Sequence, residues 1–124
     1  MSQFLLVCAG GAIGAGTRYL VATWAAVRLG TDFPRGTLLV NATGSFLLAL
    51  VVALRPGVVS ADMRLFLGAG ILGGYTTYSS FNAETLALLD GGSPWLAAAN
   101  LTLTVVGCLV AGLAGLAAGR WLAL

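Results

Sequence analysis

Histidine and lysine are absent from the 124 residues. Without histidine the chain lacks both the commonest general base at neutral pH and the commonest metal ligand. Cysteine is almost absent too. Cys8 and Cys108 each sit inside an apolar run, where they read as small packing residues rather than a disulfide framework or a zinc cluster. Charged residues make up 8%, against about 25% in a soluble domain. The acids are Asp32, Asp62, Glu84 and Asp90. They form no convergent pair for acid–base work, so the chain reads as a non-enzyme. The six basic residues are all arginines: Arg18, Arg28, Arg35, Arg55, Arg64 and Arg120. Scattered singly near the ends of apolar runs, they read as membrane-surface anchors and not as a nucleic-acid patch.

What fills the chain is apolar. Hydrophobic residues make up 59% and the mean hydropathy is +0.98. Such a chain cannot cover its outside with polar side chains, so its outside must be lipid. Spanning a bilayer takes about 20 apolar residues. Four stretches qualify, at about 4–27, 36–54, 63–89 and 94–122, and form one membrane domain over 1–124. The first is a spanning helix and not a signal peptide, since it lacks a basic leader and runs on too long. The linkers are short and punctuated by Gly and Pro. Ser60 or Asp62 is positioned to cap the third helix, and Pro94 to begin the fourth. With no extramembrane domain, any function lies within the membrane.

Four spans place Arg55, Arg64 and Arg120 on one side and Arg28 and Arg35 on the other. That bias is too weak to fix orientation. Either another influence decides it, or the chain inserts both ways and opposed copies pair. Glycine pairs at spacing four (Gly10/Gly14, Gly70/Gly74, Gly115/Gly119) let helix backbones approach closely. Four thin helices offer little interior for a polar route, which favours a dimer.

Several residues are out of place in lipid. Arg18 lies deep in the first helix, where an unpaired charge is costly; it either snorkels to an interface or lines an aqueous vestibule that attracts anions. Asn41 in the second helix needs buried partners, and its uncharged amide also suits weak anion binding. The segment Gly73-Gly74-Tyr75-Thr76-Thr77-Tyr78-Ser79-Ser80 combines helix-breaking glycines with hydroxyls that compete for backbone hydrogen bonds. A break near mid-membrane is expected there, or else a local kink. Glu84, one turn on, is a proton relay, or a partner for Arg18 or a helix end. Asn100 and Thr104 share a face of the fourth helix, and with Thr102 they form either a polar track or packing glue.

Three stretches together resemble the CrcB/Fluc fluoride channel family: Gly10–Tyr19 (GGAIGAGTRY), Pro34–Phe46 (PRGTLLVNATGSF) and Gly70–Phe81 (GILGGYTTYSSF). The resemblance covers nearly the whole chain. It implies an all-α membrane protein of four transmembrane helices, the third broken, assembled as an antiparallel dual-topology homodimer in the cell membrane. It implies two pores that export fluoride passively. It also implies a structural Na+ at the dimer centre, held by main-chain oxygens of Gly73 and Thr76 from both copies. Asn41 matches the family's pore asparagine, Tyr78 and Phe81 its two pore phenylalanines, Arg18 its vestibule arginine and Glu84 its helix-three glutamate. Asn100 falls at the pore tyrosine and Thr104 on the serine track. Tyr78 departs from the usual phenylalanine.

The chemistry is coherent with that assignment. Fluoride is small and strongly hydrated, so a pore must replace water with close donors. Ring edges carry positive potential, and Asn41, Ser80 and Thr104 supply conventional donors. A rival reading is a small proton-coupled cation exporter that uses Glu84; another is an assembly subunit with no flux.

Overall fold

Two prolines and three left-handed glycines divide the apolar sequence into helices. Pro34 precedes one helix and Pro94 opens another, where a missing N–H costs nothing. Gly30 (φ +85°) and Gly92 (φ +74°) turn the chain after helices that end near them, in a conformation other residues rarely adopt. The computed structural model describes residues 2–55 and 57–122; Pro56, in the second linker, lies outside the described residues. The elements are α1 (Ser2–Leu29), α2 (Arg35–Ala53), α3 (Ala61–Leu65), a π-helical stretch (Phe66–Leu72), α4 (Gly73–Tyr75), α5 (Tyr78–Asp90) and α6 (Pro94–Leu122). The described residues contain no strand.

Three helices, α1, α2 and α6, are each long and apolar enough to cross a membrane. The expected third span is a jointed rod, α3–π–α4–α5, opened at Thr76 and Thr77. There the backbone is extended (φ −78°, ψ 157° and φ −153°, ψ 121°). Ser60 Oγ accepts the Met63 N–H (3.2 Å) and caps the start of α3. Arg64, expected as a surface anchor, has another task. Its guanidinium donates to Val51 O (3.0 Å), Arg55 O (2.9 Å) and Leu54 O, binding the carbonyls at the C-terminal end of α2 that have no helical donor.

The packing inverts that of a soluble domain. Leu101, Val105, Leu109 and Leu113 of α6 are exposed. Thr37, Asn41, Asn100 and Thr104 are buried. Helix α2 packs on α6, and α1 on the π-helical stretch and α4. Both pairings depend on glycine. A Cβ at Gly115 would fall on Phe46 O and one at Gly119 on Leu50 O (2.6 Å). A Cβ at Gly14 would fall on Ile71 O, and one at Gly74 would lie 2.6 Å from Gly11 O. The π-helical stretch was not foreseen; it lies where Gly10 and Gly70 bring two backbones together, with Gly70's missing Cβ only 3.0 Å from Gly10 Cα.

Candidate functional site

The break exists because side chains from two neighbouring helices replace its lost hydrogen bonds. In an unbroken α-helix the N–H groups of Thr77, Tyr78 and Ser80 would serve the carbonyls of Gly73, Gly74 and Thr76. Here the Thr77 N–H goes to Asn41 Oδ1 (2.8 Å), and Asn41 Nδ2 donates to Thr77 O (2.9 Å). The α2 amide thus pairs with both polar groups of one residue of the break. Ser80 N–H turns to Thr77 Oγ1 (3.2 Å), which caps the start of α5. Gly74 O receives Arg18 Nε from α1 (3.1 Å). The carbonyls of Gly73 and Thr76 lose their helical donors in this exchange. Gly44 gives the break its room, since a Cβ there would fall on the Thr76 methyl.

Two cavities adjoin this junction and a third lies beyond the second. The first, about 370 Å³, is lined by Asn41, Thr76, Thr77, Tyr78, Phe81 and Thr104, together with apolar and small residues and Cys108. No charged side chain lines it. The rings of Tyr78 and Phe81 stand 5.6 Å apart, edge to face at 62°. Phe81 is buried, while Tyr78 is 77% exposed at the open side. The second cavity, about 310 Å³, holds Arg18, Thr37, Thr77, Ser80 and Glu84. The third, about 320 Å³, lies under the α1–α2 loop and holds Thr31, Asp32, Arg35, Thr37 and Glu84. Thr37 Oγ1 donates to Glu84 Oε1 (2.7 Å), and this pair stands on the wall shared by the second and third cavities. In the loop Arg35 Nη1 binds Asp32 Oδ1 (2.7 Å) and Leu29 O (2.8 Å). The guanidinium beside Asp32 holds that carboxyl below its ordinary value.

The residues singled out in the sequence therefore fall into three groups. Asn41, Tyr78, Phe81 and Thr104 meet on the uncharged cavity. Ser80 and Arg18 meet on the polar one, with Glu84. Asn100 is only 1% exposed and lines none of these three; its Nδ2 donates to Thr85 Oγ1 (2.9 Å), and its Oδ1 accepts from Thr104 Oγ1 (3.5 Å). Gly73 and Thr76 lie at the break with their carbonyls released. Arg18 does not pair with Glu84; it caps the broken helix. Sequence reasoning missed Thr37, Tyr75 and Thr85. Tyr75 OH meets Thr43 Oγ1 (3.0 Å) and ties the end of α4 to α2. Thr37 and Thr85 carry hydroxyls of a kind that in a spanning helix ordinarily bond back to their own backbone, and the Tyr75 hydroxyl stands at the far end of its ring, so nothing in the sequence marked their partners on other helices.

The CrcB-like protein, Camphor Resistance (CrcB) family matches residues 5–116 of the chain. The Fluoride-specific ion channel FluC of Anaeromyxobacter sp. (strain K) is 58% identical over 125 residues, covering 99% of both chains. The protein of that name from Anaeromyxobacter dehalogenans is 57% identical with the same coverage, and that from Sorangium cellulosum is 43% identical over 97% of this chain and 96% of its own. A match over nearly the full length, on an all-helical chain with apolar faces turned outward, identifies a multi-pass membrane protein that belongs to the CrcB family.

Proposed function

We propose that the protein is a fluoride-selective channel that lets fluoride leave the cell passively across the cell membrane and so relieves its toxicity. The observation that carries this reading is the uncharged cavity at the break, where an amide, two aromatic rings and a hydroxyl converge. The relatives that share the chain's full length and bear the name of fluoride channels support it.

An anion entering this cavity meets donors without a fixed cation. Asn41 Nδ2 has a second N–H beyond the one held by Thr77 O. The tilted rings of Tyr78 and Phe81 offer positive edges to a small anion. Weak, multiple contacts of this kind allow entry and also release. On the neighbouring polar cavity Arg18 raises the local anion concentration, and Ser80 offers a hydroxyl donor. In this reading the chain crosses the membrane four times, with α3 through α5 as the third span. Two copies pair antiparallel, covering the exposed Tyr78 and completing two pores.

The carbonyls of Gly73 and Thr76 suit a hard cation with oxygen ligands, and one chain supplies only two of them. Two copies together would hold Na+ through four main-chain oxygens, and its charge would offset repulsion between anions in adjacent pores. Removal of sodium by dialysis is expected to lower flux and loosen the dimer; unchanged flux and dimer stability would count against that site.

The test is fluoride efflux from liposomes containing the purified protein, read with a fluoride electrode and with chloride as control. Rapid fluoride release without a proton gradient, with little chloride release, is the expected result. Phe81→Ile and Asn41→Asp should each lower it. Efflux that needs a proton gradient and is abolished by Glu84→Gln would replace this reading with the cation exporter. No flux from folded dimer would leave an assembly subunit.

A further inference from the structure

Behind the uncharged cavity runs a chain of hydrogen bonds whose direction is fixed from one end. Phe81 O can only accept. Thr85 Oγ1 donates to it (2.7 Å) and so spends its single proton. Toward Asn100 it can then act only as an acceptor, and Asn100 Nδ2 donates to it (2.9 Å). This sets the orientation of the Asn100 amide. Its Oδ1 faces Thr104, whose hydroxyl donates to it across 3.5 Å. That distance is at the outer limit of a hydrogen bond, so little is lost when it breaks.

Asn100 is 1% exposed, and neither it nor Thr85 lines the cavity; Thr104 does. We propose that Thr85 is a positioning residue for anion binding: by orienting the Asn100 amide it parks the Thr104 proton on Asn100 Oδ1, from which an arriving anion recruits it. The inference rests on the channel reading. It makes Thr104 a donor that is masked while the cavity holds no anion and offered when one arrives, which keeps binding weak enough for release. Asn100, with its acceptor turned toward Thr104, contributes to the anion only through that hydroxyl.

Removing the Thr85 hydroxyl releases this constraint. The Asn100 amide then turns its Nδ2 to Thr104 Oγ1, whose proton points permanently into the cavity. Thr85→Val is therefore expected to lower the fluoride concentration that gives half-maximal flux by about threefold to tenfold, the size of one modest hydrogen bond. Thr85→Ser should restore the wild-type value. In a Thr104→Val background, Thr85→Val should produce no further shift. Thr85→Ala is measured in parallel, so the hydroxyl's loss is read even if valine is not tolerated. A half-maximal concentration that is unchanged or raised in both variants overturns the proposal, as does an undiminished shift in the Thr104→Val background. A wild-type protein without fluoride flux overturns the channel reading and this proposal together, whereas a conducting wild type with unresponsive variants overturns only this one. A merely structural Thr85 would lower thermal stability equally in both backgrounds and leave the concentration dependence alone.

Discussion

The α2–α6 pair and the pair formed by α1 with the jointed rod use the same device to opposite ends. In both, glycine brings a bare backbone against a neighbour's carbonyls: Gly115 and Gly119 against Phe46 and Leu50, Gly14 and Gly74 against Ile71 and Gly11. Between α2 and α6 the approach joins two continuous helices with no opening along their length. Between α1 and the rod it joins a continuous helix to one that opens, and Arg18 reaches across to take up a carbonyl the opening exposes. Close packing alone therefore does not create a break. What differs is the supply of polar side chains, with Asn41 and Arg18 converging on Thr77 and Gly74.

The sharpest way to separate the two regions is Asn41→Leu. It strips two hydrogen bonds from a part-buried peptide, at the lower end of about 1–3 kcal/mol each, so fluoride flux should vanish. Amide hydrogen exchange should then rise around residues 73–80 while α2–α6 stays protected. Gly115→Val reverses the pattern. Its side chain meets Phe46 O, a rigid partner, and the cost should reach the upper end of about 1–3 kcal/mol for overpacking. Protection should fail first along α2 and α6, and the thermal midpoint should drop.

Arg18→Leu comes next. Gly74 O then lacks its donor, at the lower end of about 1.5–3 kcal/mol because the arginine is half-buried. Flux at low fluoride should fall, and the thermal midpoint should drop by less than in Gly115→Val. The smallest effect belongs to Asp32, exposed in the loop that joins α1 to α2. Its carboxyl is held below the ordinary value of 3.8, so the stabilising pairing with Arg35 is complete above that value and is lost as pH falls through the lowered one. Asp32→Asn should flatten slightly the fall of the thermal midpoint below about pH 4 and leave flux at neutral pH untouched.

The spanning helices were legible because lipid imposes one requirement, a run of about 20 apolar residues. The opening at Thr76 and Thr77 was legible from the glycines and hydroxyls around it. The π-helical stretch was not: Phe66–Leu72 contains nothing that separates it from an ordinary helix, and it lies where Gly10 and Gly70 meet across helices. For Arg18 the sequence allowed a snorkelling residue or a vestibule residue, and the structure adds a third role, as the cap on Gly74 O. Arg64 was read only as a surface anchor for a similar reason, since its partners are the carbonyls that end another helix. Polar residues in lipid announce that they need partners; which partners is decided by tertiary approach.

The opening in the rod also bears on the order of assembly. Its glycines weaken the helix locally, but the donors and acceptors that keep it open are lent by α1 and α2, both made earlier in the chain. Residues 61–90 released alone into lipid would have every reason to close Thr77 N–H back onto Gly73 O and become one continuous helix. The open geometry thus leans on those neighbours, so a grafted copy of GGYTT in a foreign membrane protein should not carry its shape with it.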